Sequence, residues 1–211
     1  VAKIDQYRDP ADLAAALSGI HPDKRRILGV DLGTNCGVAW ADINPSESAR
    51  ATRIVAGQLD LSVGPWDTGP LRHIRLKQFL SVLCPHLIAF EDVKFSPDVK
   101  GFSGKRIGMI VARVATASEL LGGFKITLTT WAEEHGVPAQ GFPIGTIKKH
   151  ATNKGNANKV QMIEAANARF GVELGISDYE STGADNIADA MWICDMAITM
   201  YKDGLRQSAT K

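Results

Sequence analysis

The sequence predicts an α/β fold: a mixed five-stranded sheet with helices on both faces. Three observations lead there. Three short apolar segments follow one another early in the chain with turn-sized gaps between them, as in an antiparallel meander. After residue 70, segments of helical period alternate with short, continuous apolar runs, the pattern of crossover-connected strands. A composition of 45% hydrophobic and 22% charged residues suits a soluble globular domain rather than a disordered or membrane-embedded chain.

Residues 1–25 read as an N-terminal extension, with a short helix over 9–17 stopped by Gly19. Residues 26–205 read as one domain and 206–211 as a tail. The first two strands are expected at 26–31 and 36–42, joined through Leu32-Gly33-Thr34-Asn35, and a third at 52–61. Gly64-Pro65 and Gly69-Pro70 make 62–70 a loop. Leu71, Ile74, Phe79, Leu80 and Leu83 fall on one broad face of a helix over 71–83. A buried strand at 86–90 leads to Glu91, and 96–105 reads as a loop rich in Gly, Ser and Lys. Residues 106–121 read as helix, which Gly122-Gly123 either kinks or ends. Residues 125–134 continue it unless the β-branched run 126–130 prevents this. A Pro-bounded fifth strand is expected at 137–144, with helices at 159–170 and 184–201.

Cys36, Cys84 and Cys194 form no CxxC pair, so they read as reduced thiols of a cytoplasmic protein rather than a disulfide or zinc framework. No apolar run reaches the roughly 20 residues of a membrane span.

The chemistry lies in the acids. Asp31 and Glu91 each end an apolar run, and Asp185 and Asp189 open a late amphipathic stretch one helical turn apart. Taken singly, Asp31 could shape a turn, Glu91 could be the first exposed residue after its strand, and Asp185 could complement a helix dipole. Together they are expected to meet, because the strands ending in Asp31 and Glu91 would be neighbours and the last helix must pack on them. Buried carboxylates need cationic partners. Two Mg²⁺ ions would serve, and two-metal sites perform phosphodiester chemistry.

Although net charge is only +1, residues 135–163 contain no acid and include Lys148, Lys149, Lys154 and Lys159. Such a local basic surface suits phosphate. Lys159 stands at an expected helix N-terminus; His150 reads as a surface residue or a phosphate contact, and Asp92 as a solvated neighbour. Phe95 and Phe102, interleaved with Lys100, Lys105 and Arg106, are either core residues or rings able to stack on unpaired bases.

Four segments, in order, resemble RuvC-type Holliday junction resolvases. They are Ile27-Leu-Gly-Val-Asp-Leu-Gly-Thr-Asn-Cys-Gly-Val-Ala39, Ala89-Phe-Glu-Asp-Val93, the basic stretch in which Lys148 and Lys159 stand eleven apart, and Ala188-Asp-Ala190. The likeness spans about residues 26–200. It implies a ribonuclease H-like three-layer fold and a homodimeric crossover junction endodeoxyribonuclease. Such an enzyme acts on branched DNA, above all four-way junctions, with two Mg²⁺ (Mn²⁺ substituting) and leaves nicks with 5′-phosphates. Its setting would be the cytoplasm of a bacterial cell or of a virus-infected host cell. The resemblance makes Asp31, Glu91 and Asp189 metal ligands. The fourth ligand is Asp185 or Asn186; the family position falls on Asn186, which brings no charge, whereas Asp185 keeps it. Lys148 and Lys159 would hold the scissile strand or stabilise its transition state, an aromatic near Phe95 or Phe102 would wedge into the crossover, and the helix bearing Ile107, Ile110, Val111, Val114 and Ala117 would pair the protomers. Rival readings are a YqgF-like RNA-processing nuclease, a catalytically inactive junction-binding module, and an actin-like ATPase, for which Gly29-Val-Asp-Leu-Gly-Thr34 would be the phosphate loop.

Overall fold

The structure, a computed structural model, describes residues 4–7, 23–44, 53–93 and 105–209, with 4–7, 105–114, 206, 208 and 209 as backbone alone. The central sheet contains β1 (Ile4–Tyr7), β2 (Arg25–Asp31), β3 (Asn35–Ile43), β4 (Val55–Asp60), β5 (Leu87–Glu91) and β6 (Ala139–Phe142), in the order β1-β4-β3-β2-β5-β6. β2, β3 and β4 form the expected antiparallel meander, and β5 and β6 add in parallel beside β2. Among the described residues the sheet has six strands rather than five. Ile4–Tyr7, within the segment read as an extension, pairs in parallel with β4 at the edge. The helix expected over 9–17 lies outside the described residues.

The helices are α1 (Leu71–Leu83), α2 (Lys105–Glu134), α3 (Ile144–Thr152), α4 (Lys159–Phe170), α5 (Tyr179–Thr182) and α6 (Ala184–Ala209). Strand alternation divides the core in two. Leu28, Val30, Ile88 and Phe90 face α1 and α2, meeting Leu76, Leu80, Phe124 and Leu128. Ile27, Ala39, Ala41 and Ala89 face the other way, against α3, α4 and α6. The result is three layers, helices over sheet over helices.

Two helical segments depart from expectation. α2 runs unbroken through Gly122-Gly123. Gly123 makes room for His73, whose ring lies 3.0 Å from where a Cβ would sit and whose Nδ1 bonds Thr127 Oγ1 at 2.8 Å. The β-branched run stays helical because Leu128 and Trp131 enter the core, while Thr127 and Thr129 bond back to the carbonyls four residues earlier. The strand expected over 137–144 stops at Phe142; Pro143 then opens α3, which buries Ile147. Among the described residues, no helix is long and apolar enough to cross a membrane.

Candidate active site

Register and two glycines build the site. In the parallel β2–β5 pair Val30 stands opposite Phe90, so the next residues, Asp31 and Glu91, end neighbouring strands on the same face. That face lies under α6. A Cβ at Gly37 would fall 2.0 Å from the Asn186 carbonyl oxygen, and one at Gly29 2.4 Å from the Cys194 amide nitrogen. Only glycine lets the helix backbone approach so closely. Gly37 is the cross-strand partner of Asp31, so the contact sets the first turn of α6, with Asp185 and Asp189, over the strand end.

The acids share one electrostatic field. Burial pushes the Asp31 carboxyl well above its ordinary value, and the negative charges of Asp189, Glu91 and Asp185 push it further, against the pull of Lys159. Asp189 is raised to about 7 by burial and then by Glu91 and Asp185, opposed by Lys148 and Lys159. Burial also raises Glu91, against Lys148. Asp31, Glu91, Asp185 and Asp189 thus lie near enough to influence one another's charge. Asp92 turns aside to pair with Lys125.

Asp185 and Asn186 have distinct surroundings. Asp185 is buried and accepts from Lys159 Nζ at 2.5 Å. Asn186 donates through Nδ2 to the Asn35 carbonyl at 2.9 Å, which docks α6 on the β2–β3 turn. Lys159 begins α4 behind a capping box formed by Asn158 and Gln161, and its ammonium also lies 5.5 Å from the Tyr179 ring centroid. Its pKa is raised, chiefly by the bond to Asp185.

Lys148 is half-buried on α3, near enough to act on Glu91 and Asp189. Lys149 and Lys154 are exposed. His150 is not a plain surface residue: it bonds Asp195 Oδ2 through Nε2 at 2.8 Å, and Arg169 holds the other Asp195 oxygen at 2.9 Å. Sequence reading overlooked Asp195, a charge inside an apolar stretch of α6 whose spacing from Asp185 and Asp189 signals nothing by itself. Phe95, Lys100 and Phe102 lie outside the described residues, as do the side chains of Lys105 and Arg106.

Whether the site suits divalent metal turns on its donors. Four carboxylates from β2, β5 and α6 form an all-oxygen set suited to a hard cation such as Mg²⁺. Their mutual repulsion marks a place short of positive charge. Among the described residues, however, no three His, Cys, Asp or Glu side chains converge as ligands on one point. One of the four, Asp185, is instead held by Lys159. The fit is thus one of charge and donor type.

Neither a protein-family model nor a curated protein sequence matches this chain. Solved structures do. Thermus thermophilus RuvC in complex with a Holliday junction substrate superposes with a TM-score of 0.60 at 18% identity, covering 85% of this chain and 96% of that one. A second Thermus thermophilus RuvC structure gives 0.53 at 18% identity, over 83% and 95%. The chain has the RuvC-type, ribonuclease H-like fold.

Proposed function

We propose that this protein is a metal-dependent endonuclease that cuts branched DNA, four-way junctions above all, by paired nicks from a homodimer. The observation that carries the reading is the acid cluster: Asp31 and Glu91 end adjoining strands beneath the first turn of α6, which carries Asp185 and Asp189, and burial together with neighbouring carboxylates raises the pKa of Asp31 and Asp189, with Lys148 and Lys159 alongside. The shared fold supports the substrate class, since the Thermus protein was solved with a Holliday junction.

In this reading Asp31, Glu91, Asp185 and Asp189 would hold two Mg²⁺, in place of the present pairing of Asp185 with Lys159. When bound, such ions lower the pKa of a water nucleophile and neutralise the leaving oxygen. Lys159, and Lys148 from α3, would place positive charge beside the scissile phosphate. As a compact point charge on a flexible stem, lysine suits a phosphate whose charge shifts during reaction. Asn186 keeps α6 seated on the β2–β3 turn and leaves the ligand role to Asp185. Dimer pairing is assigned to the first half of α2.

The test is a cleavage assay on four-way junctions, flaps, linear duplex and structured RNA, with Mg²⁺ and then EDTA. Expected are metal-dependent, symmetric nicks in the junction. Junction binding with no cleavage under any metal would point instead to an inactive binding module, and preference for RNA to a YqgF-like nuclease.

A further inference from the structure

The loop between β4 and α1 leaves the sheet at the same end as the acids. Asp60 pairs with Asn35, and the Leu61 amide donates to the Thr34 carbonyl at 2.7 Å, so the loop starts beside the turn that follows Asp31. Its polar groups are spent on holding its shape. Ser62 donates to Asp60 Oδ1 through its amide at 2.9 Å and its hydroxyl at 2.5 Å. The Gly64 amide donates to Asp67 Oδ2 at 2.9 Å, and Arg75 reaches back from α1 to the Ser62 carbonyl at 2.5 Å and to Asp67 at 3.7 Å. A bond from the Asp67 amide to the Gly64 carbonyl, 3.1 Å, closes a β-turn with Pro65 and Trp66 at its centre.

Turn centres ordinarily carry Gly, Asn, Asp or Ser. Here the tip is an indole, 97% exposed, whereas Trp40, Trp131 and Trp192 are 3%, 3% and 4% exposed. The fold therefore buries three tryptophans and holds the fourth out on a braced turn at the sheet end that carries the acids. An aromatic fixed in place before binding loses little freedom on contact. An indole also stacks on any base whose face is uncovered.

We infer that Trp66 is a stacking platform for an unpaired nucleobase of the branched substrate. The inference rests on the nuclease reading, because it needs a nucleic acid lying across this end of the sheet. At a branch point, bases that lose a neighbour present a bare π-face, and Trp66 covers one while the strand continues toward the acids.

Iodide quenching of tryptophan emission in the full-length chain tests this directly, since the three buried indoles lie out of reach of the quencher. In free protein the quenchable emission should come from Trp66 and vanish in Trp66→Ala. Saturation with a four-way junction in EDTA should protect it. By fluorescence anisotropy, Trp66→Ala should bind the junction and an oligo(dT) strand about tenfold more weakly, with linear duplex affinity little changed. A junction that binds while Trp66 stays quenchable, or unaltered junction affinity in Trp66→Ala, overturns the platform and leaves the nuclease reading standing. Protection that grows with protein concentration and without DNA assigns the indole to a second copy of the chain and overturns the platform too. Failure of the unaltered protein both to bind and to cut junctions overturns the nuclease reading, and the platform falls with it.

Discussion

Asp31 and Asp189 carry most of the electrostatic strain in the site, because each loses water and gains anionic neighbours on folding. Asp31→Asn removes one charge from the centre of the cluster and alters no strand pairing. In the nuclease reading it should abolish junction cleavage while junction affinity stays near that of the unaltered protein, measured by parallel cleavage and gel-shift assays; cleavage near the original rate would take Asp31 out of the site. Asp189 makes a pH prediction. Its carboxyl pKa rises from 3.8 to about 7 on folding. Between those values the folded chain holds a proton that the unfolded chain has released, so stability falls as pH rises through the window and the penalty is complete above it. Asp189→Asn removes the penalty. In EDTA it should raise Tm by several degrees at pH 8, at about 2–4 °C per kcal/mol for a chain of this size, and by little at pH 4. Mg²⁺ should narrow the gap at pH 8 by stabilising the unaltered protein. An equal gain at both pH values would dissociate the effect from the charge of Asp189.

At the scale of elements, helix placement decides whether the acids meet. α6 lies directly on β2 and β3 because Gly29 and Gly37 offer no side chain. Gly37→Ala would press a methyl group into the Asn186 carbonyl and lift the first turn of α6 from the strand end. A drop of roughly 1–3 kcal/mol in stability is expected from such overpacking, with a larger loss of cleavage than of junction binding; full activity would mean that the contact yields without moving the acids. Asp195 sets the neighbouring helices. Its two oxygens take His150 from α3 and Arg169 from α4, so one buried carboxylate on α6 ties down the helices that carry Lys148 and Lys159. Asp195→Ala removes the tie from two partly exposed partners, at a cost of roughly 1–2 kcal/mol, measurable by urea unfolding. A change under a few tenths of a kcal/mol would show that the helices hold without the tie.

For the whole molecule, a net charge of +1 masks a basic stretch beside an acid cluster. Binding to DNA through that stretch should release counterions, and each phosphate contact steepens the log K against log salt plot by about 0.9. Replacing exposed Lys149 and Lys154 together with Gln should make the junction-binding slope shallower by about 1.8; an unchanged slope would move the DNA to another surface.

Much of this architecture can be read from the chain. The α1 and α4 bounds coincide with the periodic segments 71–83 and 159–170, and both helices end at residues in left-handed geometry; the buried face of α1, however, is Leu76, Phe79, Leu80 and Leu83, and Ile74, read onto that face, is exposed. The antiparallel meander follows from short apolar runs around a tight turn. Less legible were β1, four residues that pair with β4 at the sheet edge, and α3, whose nine residues bury one large side chain. The uninterrupted α2 was also hidden, since the reason Gly123 belongs there is a histidine fifty residues away on α1.

Local composition by itself determined the layered α/β fold and the residue types able to hold metal and phosphate, because hydrophobic period and charge are written along the chain. Tertiary structure alone decided that Asp185 takes a lysine while Asn186 docks a helix, that Asp195 ties three helices, and that one tryptophan of four stays in water. These outcomes depend on what lies opposite each side chain across the sheet or the helix interface, and neighbours of that kind leave no periodic mark in sequence.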